Sequence, residues 1–169
     1  GLGSVAYSAG PANESGQNLT YTVTAVPAAS LGTVYLADGT TAVTANTAYT
    51  LADIQGMQFK AAADANGGPA TFSYTVKDDG TTNGANDFKT LTQSLTITVT
   101  EVNDAPTRTG GSVANLTIAE DTGLTSLGLG SVAYSAGPAN ESGQNLTYTV
   151  TAVPAASLGT VYLADGTTA

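Results

Sequence analysis

The chain has no cysteine, no histidine and no tryptophan. Without thiols or imidazoles, disulfide frameworks, most zinc sites, cysteine nucleophiles and histidine-dependent serine triads are excluded. The missing tryptophan also removes the commonest exposed platform for a sugar ring. Basic residues are scarce: four Lys and Arg stand against thirteen Asp and Glu, a formal net charge of −9. Nucleic acid and anionic membrane surfaces are poor partners for such a chain. No stretch approaches the ~18 consecutive apolar residues of a membrane span, and no charged segment leads into an apolar one as in a signal peptide. What remains is a chain of 169 residues, 41% apolar, whose composition is that of a folded domain.

Its main feature is an exact internal repeat. Residues 1–42 recur letter for letter as residues 128–169, an offset of 127 residues. That period exceeds the roughly 20–50 residues of solenoid repeats and matches the size of an independent domain. One period (residues 1–127) holds eleven acidic residues against Lys60, Lys77, Lys89 and Arg108, a net of −7. In an array such charges repel unless cations screen or bind them.

The apolar pattern has period two and is rich in Thr, Val, Tyr and Ile, as in half-buried antiparallel strands. Leu19, Tyr21 and Val23 alternate with threonines, repeated at Leu146, Tyr148 and Val150. Thr33–Leu36 runs into Asp38-Gly39, a turn dipeptide that predicts a hairpin, and Asp38 and its copy Asp165 are read as turn residues. Leu51–Gly56 reads as one helical turn closed by glycine, with a strand after it at Met57 and Phe59. Phe72, Tyr74 and Val76 form a further strand broken at Asp78-Asp79-Gly80, and Leu91 to Glu101 is the longest alternation. Pro106 marks a linker from Val102 onward, and Leu116 and Ile118 are expected to open a new first strand. Tyr21, Tyr35 and Tyr74 lie in phase with aliphatic residues and are assigned to the core. The pattern predicts an all-β, antiparallel, immunoglobulin-like sandwich of seven or more strands. Residues 1–104 are expected to form a repeat lacking its first strand, and residues 105–169 the front half of the next.

Glu101-Val102-Asn103-Asp104-Ala105-Pro106, followed by Leu116-Thr117-Ile118-Ala119-Glu120-Asp121, resembles the junction of bacterial cadherin-like tandem repeats of giant RTX-type adhesins. The likeness continues through Asn140 to Tyr148, its copy from Asn13, Gly32–Leu36 and Phe72–Asp78, and so covers the whole period. It implies a calcium-stabilised extender domain, extracellular and on a bacterial cell surface, repeated to hold an adhesin's binding region away from the cell. Where cadherins carry Asp-x-Asp this chain has Asn140-Glu141-Ser142, and the glycine-rich nonapeptides of RTX domains are absent.

Calcium takes about six to eight hard oxygen ligands from carboxylates, amides and carbonyls. The linker residues Glu101, Asn103 and Asp104 are the first candidates, with either Glu120 and Asp121 or the Asn140-Glu141 loop as their partners; Glu14 is the copy of Glu141. A second cluster holds Asp78 and Asp79 with Asn83, Asn86 and Asp87, for which a solvated hairpin loop is the competing reading. Asp64-Ala65-Asn66 begins like a calcium-binding loop but lacks the later ligands, so a turn is preferred there. Sequons at Asn13, Asn18 and Asn115 are taken as incidental. No enzymatic role, small-molecule substrate or membrane insertion is expected. The expected partners are neighbouring identical repeats, including half-domain complementation between molecules. The rival function is a repeat that itself grips a glycan or protein.

Overall fold

The computed structural model describes residues 2–169 and divides them into two compact units, residues up to Val102 and Asn103–Ala169. Strands dominate and every pairing is antiparallel.

The first unit is built on β1 (Leu19–Ala25), β2 (Gly32–Tyr35), β3 (Thr47–Tyr49), α1 (Leu51–Gly56), β4 (Gln58–Ala61), β5 (Gly67–Asp78), β6 (Thr81–Thr82), β7 (Ala85–Asn86) and β8 (Thr90–Val99). A four-stranded sheet runs in the order β3-β1-β5-β8, β2 pairs with β4, and β6 with β7 closes a small hairpin. The strands form where the alternation lies. Tyr21 and Val23 of β1, Val34 of β2 and Phe72, Tyr74 and Val76 of β5 all point into one core, joined by Val43 and Ile54. Each such apolar side chain contributes about 1.5–3 kcal/mol on burial. The outward threonines of β1 and β5 carry the solvent face; Thr24 and Ser73 hydrogen-bond across it at 2.8 Å. Inside, the hydroxyls of Tyr7 and Tyr74 meet at 2.5 Å, and burial with that bond pushes the Tyr74 phenol well above its ordinary range.

Two local expectations are amended. The Asp38 turn forms, with Asp38 Oδ1 accepting from the Thr40 and Thr41 amides at 2.8 Å, but the hairpin beyond it shrinks to a single bridge, Tyr35 to Ala42. The extended partner of β2 is β4. Helix α1 is set by its start rather than its glycine: Thr50 and Asp53 form a reciprocal capping box, whereas the helix ends on Met57 in an extended conformation. The strand register fixes the polarity of the sheet. Leu19 faces Asp78 and Thr90 faces Lys77 at one end of the sheet, while Val99 faces Gly67 at the other.

The second unit contains β9 (Thr107–Gly110) and β10 (Ala133–Ser135), paired with each other, and a short 3-10 turn at Ala139–Glu141. Its first strand is therefore β9, not the Leu116–Ile118 segment, which joins no ladder and is exposed. A strand needs a neighbour to take its backbone hydrogen bonds, and β10 supplies one to Thr107–Gly110 only. Residues 146–152 repeat β1 in sequence yet form no strand.

Candidate functional site

The Asn103–Asp104 segment lies against the turn that carries Glu141. The Asp104 backbone N–H donates to Glu141 Oε1 at 2.8 Å, and Gln144 Nε2 donates to Asn103 Oδ1 at 3.0 Å. Asn103 Nδ2 in turn reaches the Asp104 carbonyl at 3.2 Å. Glu141 is only 1% exposed. Its second oxygen, Oε2, is buried and has no hydrogen-bond partner. A buried carboxylate oxygen without a donor or cation is costly, of the order of 1–3 kcal/mol or more.

The local sequence prepares this position. Pro138 opens the 3-10 turn Ala139–Glu141, which folds the glutamate back over Gly137. A Cβ at Gly137 would meet the Glu141 carboxylate, so a larger residue there would turn that side chain out of its present position. Ser135 holds the loop by donating from Oγ to the Gly137 carbonyl at 2.6 Å. The copy in the first unit has the same architecture, with Ser8 on the Gly10 carbonyl at 2.8 Å and Gly10 under Glu14. Glu14, however, is half-buried. The Asp104 amide that donates to Glu141 has no counterpart seen on Glu14.

Glu101 is exposed and belongs to the first unit. Glu120 and Asp121 sit in an exposed turn where Asp121 adopts φ 62°, and they make no side-chain hydrogen bond among the described residues. Of the two partners the sequence offers the linker, the structure brings up the Glu141 loop.

In the second cluster each carboxylate has its own protein donor. Asp78 is buried and its Oδ1 accepts from the amides of Gly80 at 3.0 Å and Lys89 at 2.9 Å. Asp79 clasps Asn18, accepting from its backbone N–H at 2.7 Å and its side-chain amide at 2.9 Å; these bonds hold the carboxyl below the usual range. Asp87 accepts from Lys89 Nζ at 2.7 Å and Thr82 Oγ1 at 2.8 Å, and the lysine depresses its pKa. The carboxylates of this loop are thus engaged by the protein's own donors, beside the exposed β6–β7 hairpin. Asp64 lies in a turn at φ 56°, closed by the Ala65 amide on the Ala62 carbonyl, and Asn66 follows that turn.

Sequence reasoning missed Gly137 and Gln144. The signal for both lay in the spacing Ser135-x-Gly137-x-x-x-Glu141-x-x-Gln144, present twice, in which the glycine makes room and the glutamine ties the linker.

Among the described residues no group of three or more His, Cys, Asp and Glu side chains is placed to hold a metal, and no helix is long and apolar enough to cross a membrane. Next to the buried Glu141 carboxylate, Asn103 and Asp104 carry amide, carbonyl and carboxylate groups, all hard oxygens by type. No family model matches the chain, and neither a curated protein nor a solved structure matches it.

Proposed function

We propose that this chain is part of a tandem array of immunoglobulin-like β-sandwich units serving as the extender of a bacterial surface adhesin. In this reading calcium fastens each linker to the unit that follows it. The observation that carries it is the unpartnered Oε2 of Glu141, buried beneath the Asn103–Asp104 linker. A divalent cation there would supply the missing partner and offset part of the acidic excess. Glu141, Asp104, Asn103 and Asn140 are the residues that would hold it. Calcium suits them because it accepts carboxylate, amide and carbonyl oxygens in flexible geometry.

The polarity of the first unit supports serial extension. Its Glu14 loop lies at the end of the sheet where Asn18 meets Asp79, whereas β8 leaves at the opposite end with Val99 beside Gly67. The chain thus arrives at one end of a unit and departs from the other, so reach grows with copy number. Ten residues of β8 at about 3.3 Å each give roughly 30 Å per unit. A metal that binds only folded linker and loop stabilises them by mass action.

The test is a protein of several repeats compared in EDTA and in millimolar calcium. The reading expects a higher melting temperature and a longer scattering-derived maximum dimension with calcium. Identical values in both conditions would overturn it.

A further inference from the structure

The same 42 residues stand in two environments. As residues 1–42 they cover residues 43–102, and Val23 is 0% and Tyr21 8% exposed. As residues 128–169 they have no such cover, and Val150 is 80% and Tyr148 71% exposed. Leu158 and Leu163 extend the uncovered apolar face. What fits that face can be read from its twin: a segment with the sequence of residues 43–102, which supplies β3 and β5 to β1 in a defined register.

We propose that residues 103–169 of one molecule complete residues 43–102 of a second copy, displacing that copy's own residues 1–42, and that repetition joins molecules head to tail. Two observations favour the exchange and its intermolecular form.

The first concerns what the incoming half adds. In the first unit a cavity of about 170 Å³ lies between Tyr7–Ala9 and the Lys89–Leu91 stretch. The counterparts of Tyr7 and Ser8 are Tyr134 and Ser135 of β10, which are paired with β9. Residues 103–169 therefore bring a partner strand for Tyr134 and Ser135 that their copies Tyr7 and Ser8 lack, together with the exposed Leu116 and Ile118. For the 42 shared residues the exchange is between identical contacts, so the additional strand decides its direction.

The second concerns reach. Asp104 is fixed to the Glu141 loop, whose twin lies at the Asp79 end of the sheet, while Val99 lies at the Gly67 end. Folding back onto its own residues 43–102 would require the five residues from Val99 to Asp104 to cover the length of β8. They span at most about 18 Å, against roughly 30 Å for the strand. A second copy has no such constraint. Such a contact joins different surfaces of the two molecules and leaves a free face at each end, so it propagates.

Because the chain has no cysteine, a cross-link can report the register directly. Thr22 faces Ala48, so Thr149 of an incoming half would face Ala48; both Thr149 and Ala48 are exposed. Mild oxidation of the intact chain carrying A48C and T149C should yield disulfide-linked dimers and higher species. A monomer closed on itself, or no disulfide, would overturn the proposal. A second measurement needs no cross-link. By sedimentation velocity the unmodified chain should at least double its weight-average mass between micromolar and submillimolar concentration. V150D should abolish that rise without altering the main melting transition. V23D, the same change in the other copy, should increase association, because it weakens the half that competes. If V23D unfolds without associating while the unmodified chain stays monomeric, the proposal fails.

Discussion

The backbone amide of Asp104 holds one oxygen of Glu141 at 2.8 Å, and the other oxygen of the same carboxylate lies buried with no partner. The pair links a residue at the start of the second unit to a loop 37 residues further on. A position so arranged should show itself in metal binding before anything else. Calorimetric titration of the chain with calcium should give a site that E141Q weakens by at least about tenfold. The matching substitution E14Q should leave that site unchanged, because Glu14 is not seen with an Asp104 above it. G137A should weaken the same site, since its methyl group would strike the carboxylate. Equal effects of E141Q and E14Q would remove Asp104 from the explanation.

Identical residues should have different energetic weights in the two copies. V23A deletes methyl groups from a fully buried site and should cost about 2 kcal/mol in urea unfolding of the main transition. V150A, at 80% exposure, should stay within about 0.5 kcal/mol at concentrations where the chain is monomeric. F72A, in the middle of the core, should cost about 3–5 kcal/mol. A cost for V150A equal to that of V23A would mean that residues 128–169 are buried in solution as well.

The helix α1 should depend on its first residue. T50A removes the hydroxyl that accepts from the Asp53 amide and donates to the Asp53 carboxylate, and leaves only the bond from the residue 50 backbone N–H to that carboxylate. Loss of such a cap costs about 1 kcal/mol. T50S, which keeps the hydroxyl, should recover most of it. Hydrogen exchange at Asp53 and Ile54 distinguishes a local effect from general destabilisation.

The Asp38 turn should persist in acid. Bonds from the Thr41 hydroxyl and from the Thr41 and Thr40 amides lower the Asp38 pKa to about 2. Since the folded value lies below the unfolded one, the carboxylate supports the turn at full strength above about pH 4 and loses that support as pH falls toward 2. The amide shifts of Thr40 and Thr41 should therefore titrate near pH 2, and those of Thr167 and Thr168 should follow Asp165, whose pKa is also about 2. A midpoint near 4 would show that the bonds do not form in solution.

The two copies also separate what a sequence can specify locally from what it cannot. The Asp38 turn and the Asp165 turn are closed by the same bonds, 2.8 Å from Asp38 and 2.9 Å from Asp165 to the amides two and three residues on. Turn chemistry within six residues needs no help. The rings of Tyr7 and Tyr21 also keep their relation, with centroids 5.8 Å apart in both copies. Leu19–Ala25 and Leu146–Ala152 share every residue, yet only the first is a strand, because only the first has β3 and β5 beside it. Alternation therefore announced β5 and β8 correctly, where partners were at hand. It failed at Leu116–Ile118, where the same pattern has no ladder to join. At the site, the meeting of Asp104 with the Glu141 loop was one of two alternatives in the sequence. Acidity alone did not distinguish Glu141 from Glu120 and Asp121; the glycine four residues before Glu141 did.

Exact repetition has a further consequence for how such a chain finds its native pairing. Any stretch with the sequence of residues 43–102 accepts any copy of residues 1–42 equally well, so recognition between halves carries no address. In a long array the correct match would have to be chosen by tether length, through the high effective concentration of the nearest copy, and by the order in which copies become available to fold. Mispairing is then a skipped copy rather than a wrong contact, and it would loop out whole periods while leaving every interface intact.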